Sequence, residues 1–265
     1  MKRVSIKIDQ HVAIVKLDRP EKMNALDHEM FLAIIAAGEE VSANPSVRAV
    51  VLHGEGKAFC AGLDLMSMSQ TNTENGSVSG LSERTHGIAN KWQKAAFTWR
   101  ECPVPVIAAV HGVAFGGGLQ IMAGADIKFI APDTKASIME VKWGIIPDMA
   151  GTQLWRHTVR DDILRELTYT HRIFSGKDAV DYGFATHVSG NPLEDALQLA
   201  QEIASKSPAA VVKAKQVLNE APYLDVVNGL QLESDLQDAI IGKKNQMEAV
   251  FAGMQKRPGN FEDYR

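Results

Sequence analysis

Cysteine is scarce in this sequence, since Cys60 and Cys102 are the only two among 265 residues. Two cysteines are too few for a disulfide framework and are typical of a reducing compartment, so we expect a cytoplasmic protein. The sequence also lacks an apolar run close to the roughly 20 residues that a membrane helix needs. The opening residues Met1 to Gln10 intersperse charged and apolar side chains, which predicts a strand and not a signal peptide. We therefore expect no membrane partner.

Basic residues are not in excess either. The 28 Lys and Arg residues stand against 32 Asp and Glu, which gives a formal net charge of −4 and a sequence pI near 6.1. Nucleic-acid-binding proteins normally carry a basic stripe, so no nucleic-acid partner is expected. The eight histidines show no paired ligand spacing, which predicts no metal site, and no Gly-x-Ser-x-Gly elbow is present.

Short apolar runs alternate with helical patterns over the first 150 or so residues. Val4 to Ile8 and Val12 to Leu17 predict a hairpin of partly buried strands. Ala49 to Leu52, Val106 to Val110 and Asp126 to Ile130 are typical of buried strands. This alternation predicts an α/β fold.

Two further regions have a recognisable pattern. Apolar residues from Leu26 to Val41 recur at helical spacing, with Asn24 and Asp27 placed as cap and first-turn acid. From Asp161 to the end the pattern is almost wholly helical. These terminal helices could fold back on their own core or cover a neighbouring subunit. The polar stretch from Met66 to Ala89 predicts a mobile loop beside a pocket or an inert surface loop.

Two glycine-containing segments follow predicted strands. Gly56 to Leu65 is rich in small residues, which allow a ligand to approach the backbone, although a tight turn with a buried thiol fits equally well. His111 to Ala123 runs from a strand through Gly116, Gly117 and Gly118 into a helix, so unpaired N–H groups at the helix start predict an anion or oxyanion site. A phosphate cradle is the rival interpretation, but neither the dinucleotide fingerprint nor the P-loop spacing fits.

Four motifs in chain order, Leu17–Leu26, Ala58–Leu65, Gly112–Gln120 and Ile146–Gln153, resemble those of the crotonase (enoyl-CoA hydratase/isomerase) superfamily. The resemblance implies a spiral of ββα repeats, with an acyl-CoA-binding and catalytic core at 1–200 and a helical oligomerisation region at 201–265. It implies an acyl-CoA thioester substrate and a homotrimer, or a hexamer of two trimers. It implies no metal or redox cofactor, because coenzyme A enters as part of the substrate.

The resemblance also assigns residues. The backbone N–H groups of Leu63 and Gly117 would form an oxyanion hole for the thioester oxygen, which gains charge as an enolate develops. Lys22 could pair with a phosphate. The other residues expected to contact coenzyme A or the acyl group are Ala25, Ala58, Ala61, Gly62, Asp64, Leu65, Gly116, Gln120 and Trp143.

Two carboxylates are the candidate acid and base. Glu140 and Asp148 lie in an apolar segment, where burying a charged carboxylate is costly and raises its pKa. Glu140 as a salt-bridged helix cap and Asp148 as an ordinary turn residue are the structural alternatives. By resemblance, Glu140 matches the family's catalytic glutamate and Asp148 matches the catalytic aspartate of dienoyl-CoA isomerases. Trp143, between them, could shape the acyl pocket or belong to the core.

Gln120 departs from the pattern, because similar hydratases carry a second glutamate there. A neutral amide can orient water but cannot exchange its proton near neutral pH. We therefore expect isomerisation of an enoyl- or dienoyl-CoA, with Glu140 and Asp148 moving the proton. The alternatives are an enoyl-CoA hydratase in which Asp148 replaces the missing glutamate, and a non-catalytic acyl-CoA-binding protein. The similar dienoyl-CoA isomerases usually have an acid at this position too.

Overall fold

A six-stranded sheet forms the centre of the computed structural model, which describes residues 3–66 and 81–264. In the order β1-β2-β3-β4-β6-β9, the first pair is antiparallel and every later pair is parallel. The parallel strands are short and apolar because both of their faces are covered. The six strands are β1 (Val4–Asp9), β2 (Val12–Leu17), β3 (Ala49–Gly54), β4 (Val106–Val110), β6 (Ile127–Ile130) and β9 (His187–Val188).

A second, three-stranded sheet lies beside the first. It contains β5 (Val113–Phe115), β7 (Lys135–Ser137) and β8 (Phe174–Ser175), with β5 parallel and β8 antiparallel to the central β7. Because β4 enters the large sheet and β5 the small one before a helix follows, the chain winds through strand-strand-helix units. The predicted α/β spiral is confirmed, and the boundary near residue 200 stays a prediction.

Helices cover the two faces of the large sheet with different side chains. On one face, α1 (His28–Ala43), α2 (Lys91–Glu101) and α3 (Gly117–Gly124) bury large residues such as Trp99 in the main core. On the other, α7 (Pro192–Ala204) places Ala196 and Ala200 against Val51 of β3. Small alanines on α7 allow it to approach the sheet closely.

The chain after residue 150 is mainly helical, as predicted. The almost wholly helical pattern predicted from Asp161 is interrupted at β8 and β9, which were not predicted because strands of two residues are too short to show a period. The remaining helices are α4 (Gly151–Trp155), α5 (Asp161–Thr170), α6 (Gly176–Asp181), α8 (Pro208–Glu220), α9 (Val226–Asp238) and α10 (Lys244–Gln255). Three 3-10 helices lie at Pro20–Lys22, Glu140–Trp143 and Ala221–Tyr223.

Helix α8 folds back on the core of its own chain. The buried Lys215 Nζ donates to Asp126 Oδ2 at 2.7 Å, to Trp99 O at 3.1 Å and to Val104 O at 3.0 Å. All three ammonium protons are thereby satisfied away from water. The sequence left open whether the terminal helices pack on their own core or cover a neighbouring subunit, and α8 packs on its own core.

The predicted cap of α1 needs one correction. Asp27 is the N-cap, since its Oδ1 accepts from Met30 N at 2.8 Å. Asn24 has a left-handed backbone (φ 55°) and is completely buried. Its Nδ2 donates to the carbonyl oxygens of Ala58 at 2.8 Å and Glu55 at 3.0 Å, so this side chain fastens the start of the Ala58–Leu65 segment.

The polar loop predicted from Met66 to Ala89 lies for the most part outside the described residues, which resume at position 81. Within residues 3–66 and 81–264, no helix is long and apolar enough to cross a membrane. The same ranges contain no group of three or more His, Cys, Asp and Glu side chains that could hold a metal ion.

Candidate active site

Two backbone segments bring the predicted oxyanion donors together. Leu26 N donates to Gly62 O at 2.8 Å, and Asp64 N donates to Leu26 O at 3.0 Å. Because N–H directions alternate along an extended chain, the N–H of Leu63 points away from Leu26. Gly117 opens α3, so its N–H has no acceptor within the helix. A Cβ atom on Gly62 would lie 3.7 Å from Gly117 N, which shows how closely the segments approach.

Close packing explains the glycine run. A Cβ atom on Gly117 would lie 2.7 Å from Met149 Sδ, and one on Gly118 would lie 2.4 Å from Cys60 O. Gly116 has φ 48°, which favours glycine. The Cys60 thiol donates to Asn24 O, and its burial raises its pKa to about 12. This cysteine is therefore a neutral packing residue, as the structural interpretation of the segment proposed.

Glu140 lies beside the glycine run at the start of its 3-10 helix, and only 6% of it is exposed. A Cβ atom on Gly116 would be 3.4 Å from Glu140 Oε1. Glu140 Oε2 has no hydrogen-bond partner among the described residues. Burial raises the pKa of this carboxyl, and the nearby charge of Asp148 raises it further. A buried carboxylate with an unbonded oxygen next to oxyanion donors is suited to accept a proton.

Gln120 connects Glu140 to the loop that carries Asp148. Its Oε1 accepts from Met149 N and Gly151 N, both at 2.9 Å, so its Nε2 must point the other way. That Nε2 donates to Glu140 Oε1 at 2.6 Å. The side chain is completely buried. The sequence predicted that Gln120 is directed toward the pocket, and contact with the substrate stays a prediction. In the structure its amide is bonded to Glu140, where it fixes the orientation of the carboxylate.

Asp148 is half-buried and lines a cavity of about 1280 Å³. Burial raises the pKa of its carboxyl, so the protonated form is favoured there relative to water. Ile146, Pro147 and Ala150 line the cavity beside it. Glu140 and Asp148 therefore form a pair of carboxyl groups in which burial stabilises a proton on either member.

The residues predicted to contact coenzyme A occupy the edge of this site. Lys22 is exposed at the end of its 3-10 helix, whereas Ala25 and Ala58 are buried. Ala61 is half-buried and Leu65 is exposed. The Asp64 carboxylate forms an ion pair with Arg19 Nη2 at 2.8 Å, so it supports the segment from behind.

Sequence reasoning assigned no role to Arg19. This buried side chain also donates to Ala25 O at 2.9 Å and so joins two segments of the site. Arg19 belongs to the Leu17–Leu26 motif, but nothing in the spacing of that motif predicts the ion pair with Asp64. Trp143, predicted to shape the acyl pocket, is 52% exposed and has Lys142 Nζ 5.2 Å from its ring centroid.

The large cavity was not predicted either. It lies between the facing sides of α2 and α8, which contribute Phe97 and Val212, and the loop after Asp148 closes a third side. Because α2 and α8 are more than 100 residues apart in the sequence, neither helix alone indicates a cavity.

Known proteins resemble this chain over almost its whole length. The sequence model described as enoyl-CoA hydratase/isomerase matches residues 7–264. The chain belongs to this family. Its predicted membership of the crotonase superfamily is thus confirmed, and with it the expectation of an enzyme instead of a non-catalytic binding protein.

Relatives within the enoyl-CoA hydratase/isomerase family include both reaction types. The chain is 33% identical over 259 residues to the peroxisomal Delta(3,5)-Delta(2,4)-dienoyl-CoA isomerase of Arabidopsis thaliana, covering 96% of this chain and 93% of that one. It is 28% identical over 260 residues to the mitochondrial methylglutaconyl-CoA hydratase of Mus musculus, covering 95% and 79%. The crystal structure of an enoyl-CoA hydratase from Bacillus anthracis superimposes with a TM-score of 0.89 at 27% identity, covering 98% of both chains.

Proposed function

We propose that this enzyme isomerises the double bonds of a dienoyl-CoA thioester. The observation that carries the proposal is the arrangement of three side chains. The buried Glu140 and the half-buried Asp148 both have raised pKa values, and the neutral Gln120 is hydrogen-bonded to Glu140 and to two backbone N–H groups. The resemblance to dienoyl-CoA isomerases supports the same reaction.

The proposed mechanism begins at the thioester carbonyl, which accepts from the N–H groups of Leu63 and Gly117. Glu140 Oε2 removes a proton from the acyl chain, and the electron pair of that C–H bond delocalises into a dienolate. The developing charge on the thioester oxygen is stabilised by the two preorganised donors. Asp148 then donates a proton to a carbon further along the chain, which shifts the double bonds without a change in mass.

The two carboxyl groups must exchange roles for the next turnover, because Glu140 finishes protonated and Asp148 finishes ionised. A proton passing between them, or through solvent in the cavity, restores the starting state. The charge of Asp148 raises the pKa of Glu140, which supports a proton passing from Glu140 to the ionised Asp148.

Hydration of a trans-2-enoyl-CoA is the second candidate. The unbonded Glu140 Oε2 leaves an oxygen that could hold a water molecule, and Asp148 would have to act as the second acid. The similarity to the methylglutaconyl-CoA hydratase of Mus musculus favours this reaction. Against it, Gln120 is bonded to Glu140 and to two backbone N–H groups, so its amide has no acceptor left to orient water as a second glutamate would.

Product masses distinguish the two reactions. The purified enzyme is incubated with 3,5-dienoyl-CoA and with trans-2-enoyl-CoA, and each product is identified by mass and by the absorbance of its conjugated thioester. Isomerisation leaves the mass unchanged, whereas hydration adds one water. A mass gain on trans-2-enoyl-CoA without any double-bond shift in the dienoyl substrate would contradict the proposal.

Variants assign the proton transfers. Glu140→Gln should retain acyl-CoA binding but lose proton abstraction, measured as loss of solvent deuterium exchange into the acyl chain. Asp148→Asn should retain that exchange and lose formation of the shifted product. Loss of both signals in Asp148→Asn alone would contradict the division of roles.

We also propose a homotrimer or a hexamer of two trimers, without a metal or redox cofactor, in the cytoplasm. Support for the oligomer comes from the apolar side chains that α9 and α10 expose, including Val226, Val227, Leu230, Phe251 and Met254. An exposed apolar surface of this kind marks an interaction site. Light scattering measures the assembly directly, and a monomeric mass would contradict it.

A further inference from the structure

The cavity beyond Asp148 changes character along its length. On α2, Gln93, Phe97 and Arg100 share one side of the helix and line the cavity over about 10 Å. On α8, Val212, Lys215 and Asn219 do the same from the opposite wall. The middle of the cavity is therefore apolar, at Phe97 and Val212, and the part that is farther along both helices is polar and positively charged.

Of the cations that the described residues place at this end, Arg100 has a charge that no carboxylate pairs with. Lys215 is bonded to Asp126 Oδ2, which also accepts from Val106 N at 2.8 Å. Arg100 Nη1 donates to the neutral Asn219 Oδ1 at 3.0 Å, and Asn219 Nδ2 donates back to Arg100 O at 3.0 Å. Among the described residues, no Asp or Glu forms an ion pair with Arg100. Its guanidinium is thus held in place by an amide with most of its donors still unused.

Neighbouring charges increase the positive potential at Arg100. Lys128 lies close by, and its pKa is lowered to about 8 by burial first and by the charge of Arg100 next. Three acids line the cavity: Asp148 is the proposed proton donor, Glu101 is bonded to Lys94, and Glu220 has an exposed side chain. A half-buried site with surplus positive charge favours an anionic ligand.

We propose that Arg100 binds a carboxylate at the far end of the acyl chain, so that the preferred substrates are acyl-CoA thioesters whose chain ends in a carboxylate. This inference rests on the proposed function and takes the cavity that Asp148 lines as the acyl site. The apolar walls at Phe97 and Val212 accommodate the methylene chain, and the planar guanidinium offers a fork that matches a carboxylate. Arg100 is a specificity-determining residue, remote from the proton-transfer pair.

The experiment compares two series of thioesters of equal chain length, one ending in a carboxylate and one in a methyl group. The ratio of kcat/KM values is measured for the wild-type enzyme, Arg100→Gln and Arg100→Lys. Arg160→Gln, which removes an exposed arginine bonded to Asp162, is the matched control. The same pairs of chains, saturated and therefore unreactive, are tested by calorimetry so that binding is measured without turnover.

For the wild-type enzyme, kcat/KM should be about tenfold or more higher with the carboxylate-terminated chain, because the methyl-terminated chain gives Arg100 no charged partner. Arg100→Gln should abolish this preference, Arg100→Lys should restore part of it, and Arg160→Gln should retain it. A wild-type preference for the methyl-terminated chain, or an equal loss for both chains in Arg100→Gln, would overturn the inference. A calorimetric preference without turnover of either series would instead overturn the proposed function and leave the inference standing.

Discussion

Replacing Gln120 by Leu tests whether the orientation and ionisation of Glu140 depend on the buried amide. Leucine has a similar volume but removes the donor to Glu140 Oε1 and the acceptor for Met149 N and Gly151 N. A hydrogen bond to a charged group contributes about 1.5 to 3 kcal/mol, and each buried N–H left unpaired costs about 1 to 3 kcal/mol. Because these terms are not additive, we expect a loss of roughly 4 kcal/mol in unfolding free energy.

The pH profile separates a specific role from general destabilisation. Burial already raises the pKa of Glu140, while the bond from Gln120 opposes that rise. Without this bond the carboxylate is harder to ionise, so the acidic limb of kcat/KM should move upward by about one pH unit, equivalent to roughly 1.4 kcal/mol. The assay is isomerisation of a dienoyl-CoA across a series of pH values, combined with urea unfolding.

Gln120→Glu is the matched comparison. A carboxylate can still accept from Met149 N and Gly151 N, so the loop should stay in place. Its second oxygen would face Glu140 Oε1 at the present 2.6 Å, where two carboxyls must share a proton. This variant should therefore show the larger change in pH profile and the smaller loss of stability. An unchanged acidic limb in both variants, with Gln120→Leu folded, would refute the positioning role.

Three further changes test the rest of the site. Gly117→Ala places a Cβ 2.7 Å from Met149 Sδ and should lower kcat by about 10²-fold or more, because it displaces a proposed oxyanion donor. The control is Gly229→Ala on α9, whose Cβ meets nothing within 4 Å and which should leave kcat unchanged. Because the pKa of Glu140 is raised in the folded state, its contribution to stability is greatest below its unfolded pKa and is lost as pH rises through the folded value. Glu140→Gln should therefore raise Tm by about 2 to 4 °C at neutral pH and leave Tm unchanged in acid. Tm is measured by calorimetry, and a lower Tm at both pH values would contradict this prediction. Asn24→Ala removes the hydrogen bonds to the carbonyl oxygens of Glu55 and Ala58 and should lower the unfolding free energy by about 2 to 4 kcal/mol. A urea titration measures this loss, and unchanged stability would contradict the prediction.

Much of the framework could be predicted from local pattern. The first strands and the helix from 28 to 43 follow from apolar periodicity, because burial of one or both faces dictates which positions are apolar. The two glycine segments indicated a site formed by the backbone. The structure explains Gly117 and Gly118, because Met149 and Cys60 approach them so closely that no side chain fits. Strands of two residues, such as β8 and β9, could not be predicted, since their existence depends on pairing with distant strands.

The contacts of individual side chains could not be predicted, for a physical reason. Gln120 was expected in the substrate pocket because residues one helical turn apart share a face of a helix. Its actual direction depends on two backbone N–H groups that the chain brings there about 30 residues later. In the same way, Asp64 seemed free to contact coenzyme A until the structure placed Arg19 next to it. Spacing along one element determines its faces, whereas partners across elements are determined by the tertiary fold.

The position of Gln120 explains how a single carboxylate can be kept as a base in a buried site. Burial raises the pKa of Glu140 and so favours its protonated form, and a second glutamate at 2.6 Å would share its proton. A neutral amide, fixed by Met149 N and Gly151 N, instead supplies one donor to the carboxylate and no competing charge. In the proposed reaction, Glu140 takes a proton from the substrate and Asp148 donates one to it. An oriented base with a separate acid suits isomerisation, which moves a proton along the acyl chain. It suits hydration less well, because hydration divides a water molecule between two glutamates.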